Sequence, residues 1–264
     1  MELTNQNLHP VNDPNPIMLW MAYQEGFNKL ASSSTPCSIC RTKCFEHGEL
    51  RTHFHGSEVG ACARQVYYNL ISLEKRPPVT NGAFLMDGHN HEAEIIQGIN
   101  TGLTDGLRIV PSVNLDELVF ERRMNGTVND DQTGLLFTII GHTDGYLLKD
   151  NKPIAVIECK SVKDYTWKKV KDGIISDVWY GQMQAYMMMS NLNVCYLLVR
   201  NRGTCELLQP ILIPLDKEYL KTRMSKLKEI LIAVYNGGDI EKEAEKKTDN
   251  ICKFCDYKYN CWGE

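Results

Sequence analysis

The chain has 264 residues, 43% hydrophobic and 23% charged, an ordinary globular balance that leaves room for a sizeable core. Its net charge of −4 supplies no global field toward nucleic acid, so any contact with phosphates must come from local basic patches or bound metal. No apolar stretch reaches the roughly 20 residues needed to span a bilayer, and the polar start "MELTNQNLHPVNDPNP" lacks a signal-peptide core, so the expectation is a cytoplasmic protein with no membrane. Ten cysteines in that compartment point to metal or cluster binding ahead of disulfides.

Residues 1–56 read as an N-terminal extension, in which "PIMLWMAYQEGFNKLAS" has mixed helical periodicity and "SSSTP" breaks it before Cys37, Cys40 and Cys44. Cysteines that close fit a zinc (Zn2+) site with His47, His53 or His55 as a fourth ligand, and fit a reduced, unligated loop equally well. The core, 57–240, opens with "SEVGACARQVYYNLIS", a predicted helix capped by Ser57 with Glu58 in its first turn. "GAFLMDGHNHEAEIIQGI" predicts a second helix, carrying His91, Glu92 and the apolar Ile95, Ile96 and Ile99. "ELVFERRM" predicts a strand. The β-branched runs "LLFTIIGHTDGYLL" and "PIAVIECKS", joined by the turn residues "KDNK", predict a hairpin. A helix over "SDVWYGQMQAYMMMS", strands over "NVCYLLVRN" and "CELLQPILIP", and a long amphipathic helix complete the core. In that last helix Leu220, Met224, Leu227, Leu231 and Val234 form a core-facing stripe. Residues 241–264 are a charged linker and a segment holding Cys252, Cys255 and Cys261. Cys159, Cys195 and Cys205 lie in or beside apolar runs and read as small core residues.

The hairpin sets Asp144 about as far before its turn as Glu158 lies after it, which makes two carboxylates near neighbours where like charges destabilise. Two compensations are open. Lys160, two residues from Glu158 and on the same strand face, can neutralise one carboxylate as a structural salt bridge. Alternatively a divalent cation sits between them, since Mg2+ takes one or two carboxylates plus water and phosphate oxygens. Gln182 and Tyr186, four apart, share one helix face that can look back at this edge. Downstream of Lys160, "KSVKDYTWKKVKDG" gathers Lys163, Lys168, Lys169 and Lys171 around Trp167, a composition that suits phosphate contact with base stacking, or a solvated loop around one buried aromatic.

The ordered set G-x-x-H-E in "GHNHE", G-x-x-D in "GHTD", E-x-K in "ECK" and Q-x-x-x-Y in "QMQAY" resembles the PD-(D/E)XK nuclease superfamily. Within it the chain is similar to the RecB-like exonucleases with an iron–sulfur cluster, a group that includes the nuclease domain of AddB and the exonuclease associated with CRISPR adaptation. The likeness runs from about residue 57 to the end. It implies an α/β fold: a central mixed β-sheet flanked by helices, restriction-endonuclease-like, with an iron–sulfur subdomain formed by both ends of the core. It also implies that His91, Asp144 and Glu158 hold Mg2+ or Mn2+, with Glu92 in reserve. Lys160 then aids the attacking water, while Gln182 and Tyr186 support the site and the DNA backbone. By spacing alone the four thiolates of Cys62, Cys252, Cys255 and Cys261 suit zinc or an iron–sulfur centre; the resemblance implies a 4Fe-4S cluster acting as a staple. The implied activity is metal-dependent DNA exonuclease action on free ends, in recombination, repair, phage replication or CRISPR adaptation, with recombination or CRISPR adaptation proteins as partners. A non-cutting binding module is the alternative, although such a module has no chemical need of Asp144, Glu158 and Lys160 together.

Overall fold

In the computed structural model, residues 53–71, 82–111, 124–129, 136–253 and 255–263 are described. The predicted N-terminal helix, Cys37, Cys40, Cys44 and His47, and all of the predicted strand "ELVFERRM" before Met124, lie outside them. Along the chain come β1 (His53–His55), a 3-10 turn (Gly56–Glu58), α1 (Ala63–Ile71), α2 (Gly82–Gly102), β2 (Leu107–Pro111), β3 (Met124–Asn129), β4 (Leu136–Gly141) and β5 (Gly145–Lys149). They are followed by β6 (Lys152–Val162), α3 (Asp164–Lys171), α4 (Asp177–Ser190), β7 (Val194–Asn201), β8 (Ile211–Pro214), α5 (Lys217–Asn236), a second 3-10 turn (Asn250–Cys252) and α6 (Lys258–Trp262).

Five strands pair in the order β2-β5-β6-β7-β8, and only the β6–β7 pair is parallel, bridged by the crossover through α3 and α4. Helices cover both faces of this mixed sheet, which is the α/β architecture expected. On one face α2 lays Ile95 and Ile96 against Ile109, Ile157 and Leu198. On the other, α4 lays Met183 and Met187 against Val156, Leu197 and Val199. Alternation along β6 produces the split: Val156, Glu158, Lys160 and Val162 share the α4 side, Ile157 and Cys159 the α2 side. Burial of each such aliphatic side chain is worth about 1.5–3 kcal/mol relative to exposure.

A smaller sheet, β1-β4-β3, sits under α1 and α5. Phe54 and Ile139 meet Val66 and Leu70 there, together with Leu220, Leu227, Leu231 and Val234 of the predicted stripe; Met224 packs at its margin. β1 belongs to the segment read as an extension, and it pairs in parallel with β4 from His53↔Thr138 to His55↔Ile140.

Four local expectations are corrected. The first hairpin arm is not one strand: it breaks at His142–Asp144, with β4 in the small sheet and β5 in the large one. The helix expected from Ser57 is a 3-10 turn followed, after Gly60, by α1, because Gly60 is wedged so closely under α4 that an added Cβ would collide with the Asp177 carbonyl. "CELLQPILIP" is a strand only from Ile211, after Pro210, which cannot donate to a ladder. Cys205 is exposed at a turn with φ 61°, not in the core, whereas Cys195 is fully buried and Cys159 packs against the α2 cluster.

Candidate active site at the break between the two sheets

The turn Asp150–Asn151, both residues at positive φ (49° and 64°), pairs Lys149 with Lys152, and a register shift between Leu147 and Leu148 then moves the pairing by one residue, so that Gly145 pairs with Ile157. The next pair outward is Asp144 and Glu158. The shifted register therefore brings them side by side, within the one-residue tolerance of the hairpin reading. Asp144 is fixed by the strand it faces: the Cys159 main-chain N–H donates to its Oδ2 at 2.6 Å. Glu158 is fully buried, and Lys160 Nζ donates to its Oε1. Its other oxygen, Oε2, is buried without a hydrogen-bond partner. A fully buried carboxylate with one orphaned oxygen is a costly arrangement.

Glu92, on the α2 turn above, joins the same electrostatic group. Burial first, then the Asp144 charge, raises its pKa, against the pull of Lys160. Glu158 is raised for the same reasons in the same order, burial and then Asp144, with Lys160 opposing and Glu92 adding. For Lys160 burial works downward, but Glu158 and Asp144 outweigh it and the ammonium is held in its charged form. Three carboxylates and one ammonium thus leave the pocket with an excess of negative charge when all are ionised. His91 is held differently: Arg200 Nη1 donates to its Nδ1 at 2.8 Å, and Glu94, which pairs with the same guanidinium, lies 3.6 Å from that nitrogen. His142 is exposed at the break between the sheets.

α4 supplies the other wall. It is capped by Ser176, whose hydroxyl accepts the Trp179 N–H at 3.3 Å, and it carries Gln182 and Tyr186 on one face as their spacing predicts. Gln182 Nε2 donates to the Tyr186 hydroxyl at 3.0 Å. The phenol is raised by burial and then by the charge of Glu158, while Gln182 and the His142 main chain bond it. Two glycines make room for the ring. A Cβ at Gly141 would lie 2.5 Å from Tyr186 Cε1, and one at Gly56 2.6 Å from the same atom. The glycine of G-x-x-D is therefore a space requirement for the tyrosine of Q-x-x-x-Y, a link that spacing did not disclose. Lys160 Nζ also stands 5.8 Å from the centroid of Trp179, a neighbour that sequence reading missed.

The basic segment is the helix α3, not a loop. Trp167 is 8% exposed and packs into the α4-side core, so the expectation of base stacking on Trp167 is corrected. Lys168 pairs with Asp164 at 2.8 Å, Lys169 lies over the Tyr165 ring, and Lys163 sits at the helix N-cap.

The cysteines of the two chain ends come into one neighbourhood. Cys62 is the residue before α1, and the main chain at Gln65 and Arg64 hydrogen-bonds its thiol. Burial nonetheless raises the Cys62 pKa, with Glu243 and Cys255 adding their charge. Cys255 is raised by burial and then by Cys252 and Cys261, against a main-chain bond at Tyr257. Contacts between α1 and the tail hold the neighbourhood together: Tyr257 donates to Asn69 Oδ1 at 3.0 Å, and Asn69 donates to the buried Glu58 at 2.9 Å. Glu58 in turn accepts the His55 N–H at 2.8 Å. Arg64 pairs with Asp239 at 2.7 Å and Tyr67 donates to the Gly238 carbonyl at 2.6 Å. Among the described residues no three His, Cys, Asp or Glu side chains converge closely enough to enclose an ion as they stand. No helix among them is long and apolar enough to cross a membrane.

No family model matches the chain, and no curated protein matches it by sequence. The fold is similar to the crystal structure of SSO0001, with a TM-score of 0.52 at 15% identity, covering 90% of this chain and 94% of that one. Looser likenesses are to LHK-Exo in complex with dAMP (TM-score 0.47, 14% identity, 70% of this chain and 88% of that one). The alkaline exonuclease LHK-Exo from Laribacter hongkongensis follows at a TM-score of 0.36, 14% identity, and 70% and 89% coverage. At these identities the first match speaks to the fold alone, and the other two superpose too loosely to carry an argument about this chain.

Proposed function

We propose that the chain is a divalent-cation-dependent deoxyribonuclease that hydrolyses phosphodiester bonds from DNA ends. The observation that carries this reading is Glu158 Oε2, a fully buried carboxylate oxygen without a partner, beside Asp144 and Glu92. Oxygen ligands of that kind suit Mg2+ or Mn2+. Asp144 and Glu158 would hold the ion, and Glu92 takes the α2 position first assigned to His91, because its charge acts on both while His91 is engaged by Arg200 and Glu94. When bound, the cation supplies Lewis-acid polarisation of the scissile phosphate and a lowered pKa for a water. The rest is done by the chain. The Cys159 N–H orients Asp144; Lys160, held protonated, donates to the developing negative charge and aligns the attacking water; Gln182 and Tyr186 fix the wall against which the strand lies.

The same reading assigns Cys62, Cys252, Cys255 and Cys261 to a 4Fe-4S cluster. Four sulfurs in one neighbourhood support it, and the main-chain bonds at the start of α1 favour the Cys62 thiolate against the larger effect of burial. Cys37, Cys40 and Cys44 stand as a separate zinc proposal. Anaerobic purification with metal analysis, then digestion of end-labelled linear and circular DNA with Mg2+ or Mn2+, tests all of it. Cation-dependent release of nucleotides from linear DNA alone is expected; a pure, folded, metal-loaded protein that leaves both DNAs intact overturns the reading.

A further inference from the structure

α3 begins two residues after the end of β6, which carries Glu158 and Lys160. It buries Trp167 and Val170 and sends Tyr165 out to 70% exposure. That ring is held in place as well as exposed: Lys169, one turn on, sets Nζ 4.7 Å from its centroid. The positive charge of Lys253, from the cysteine tail, is also felt at this phenol. The acid of this turn, Asp164, is already bound to Lys168 at 2.8 Å and Asn201 at 3.3 Å. The local balance at Tyr165 is positive although the whole chain carries −4.

We infer that Tyr165 is a stacking platform for an unpaired DNA base beside the hydrolytic site, with Lys169 taking a flanking phosphate. This rests on the deoxyribonuclease reading above and goes beyond it by naming single-stranded DNA as the form gripped. Every base has a π face, so one ring serves any sequence, and a base inside a duplex has both faces covered and cannot use it.

The test is equilibrium binding of a labelled oligothymidine of about 15 nucleotides and of a blunt duplex of similar length to the full chain, without added divalent cation. Tyr165→Ala should weaken oligothymidine binding about tenfold and leave the duplex within about twofold, while Tyr165→Phe keeps wild-type affinity. Lys169→Ala should lower the slope of log affinity against log salt by about 0.7 for the single strand. Unchanged oligothymidine affinity in Tyr165→Ala overturns the platform, as does an equal loss on both DNAs. A wild type that binds neither DNA overturns the deoxyribonuclease reading instead, so the two failures are told apart. Unchanged thermal unfolding of each variant confirms that an exposed position has been altered without loss of fold.

Discussion

The carboxylate edge and the cysteine neighbourhood are built by opposite means. Asp144, Glu158 and Lys160 lie within seventeen residues of chain, and one turn with its strand register places them. Cys62 and Cys261 lie almost at opposite ends of the described chain and share a neighbourhood only because α1, α5 and the tail close on one core. The first region spends folding energy on burying charge; the second relies on contacts formed elsewhere to bring its side chains together. Damage to the first should therefore stop chemistry and spare the fold, while damage to the second should loosen the fold and reach the chemistry indirectly.

The sharpest separation comes from Glu158→Gln, which keeps the shape and the Lys160 contact and removes the charge. Cation-dependent cleavage should fall by roughly a hundred- to a thousandfold, the scale on which removal of one charge-stabilising group is felt. Retained cleavage by the folded variant would remove Glu158 from the site. The same substitution tests the electrostatics. Burial, then the Asp144 charge, pushes Glu158 from 4.5 up to about 8. A carboxyl raised in the folded state binds more protons there than when unfolded, so its stability contribution is complete below the unfolded value and is lost as pH rises through the folded one. The metal-free protein should accordingly lose stability between pH 4.5 and about 8. Glu158→Gln should flatten that slope, and Mg2+ should restore most of the loss at the alkaline end, as read from unfolding midpoints in EDTA and in Mg2+.

Next in size is the cysteine comparison. Cys62→Ser should bleach the brown chromophore and open the tail after Asp239 to protease as fully as Cys261→Ser does, whereas Cys40→Ser should leave iron and colour nearly unchanged. Iron lost from the Cys40 variant but kept by the Cys62 variant would move the cluster to the N-terminal group. Lys160→Ala bears on the other region: single-turnover cleavage should fall far more than DNA affinity, and equal losses would make Lys160 a phosphate anchor. A smaller effect is expected of Gly141→Ala, whose new Cβ meets Tyr186 at 2.5 Å and should cost about 1–3 kcal/mol in chemical unfolding. Smallest is Tyr186→Phe, which removes the hydroxyl's bonds with Gln182 and the His142 main chain for about 1 kcal/mol while leaving the ring packed between Gly56 and Gly141.

Much of this molecule was legible before any coordinates. Period-two runs with a "KDNK" turn specified β5 and β6, a 3.6-residue stripe specified the buried face of α5, and a four-residue spacing set Gln182 beside Tyr186, because these are properties of the local backbone. The turn placed Asp144 and Glu158 opposite one another to within one residue, and the register shift between Leu147 and Leu148, which no local pattern announced, aligned them. Position within the tertiary structure decided the rest. The split of "LLFTIIGHTDGYLL" between two sheets depends on what β4 and β5 each pair with, which no local pattern encodes. The different settings of His91 and Glu92, adjacent on α2, depend on which way that helix rolls on the sheet: Arg200 from β7 takes the histidine, and the Glu92 carboxylate comes within reach of the Asp144 charge. Trp167 is buried and Tyr165 exposed for the same reason, since two positions along a helix are about 200° apart and only one of the two can face the core. Sequence singled out the candidate residues; helix rotation and sheet exchange determined which of them meet, because those depend on contacts between segments that are distant in the chain.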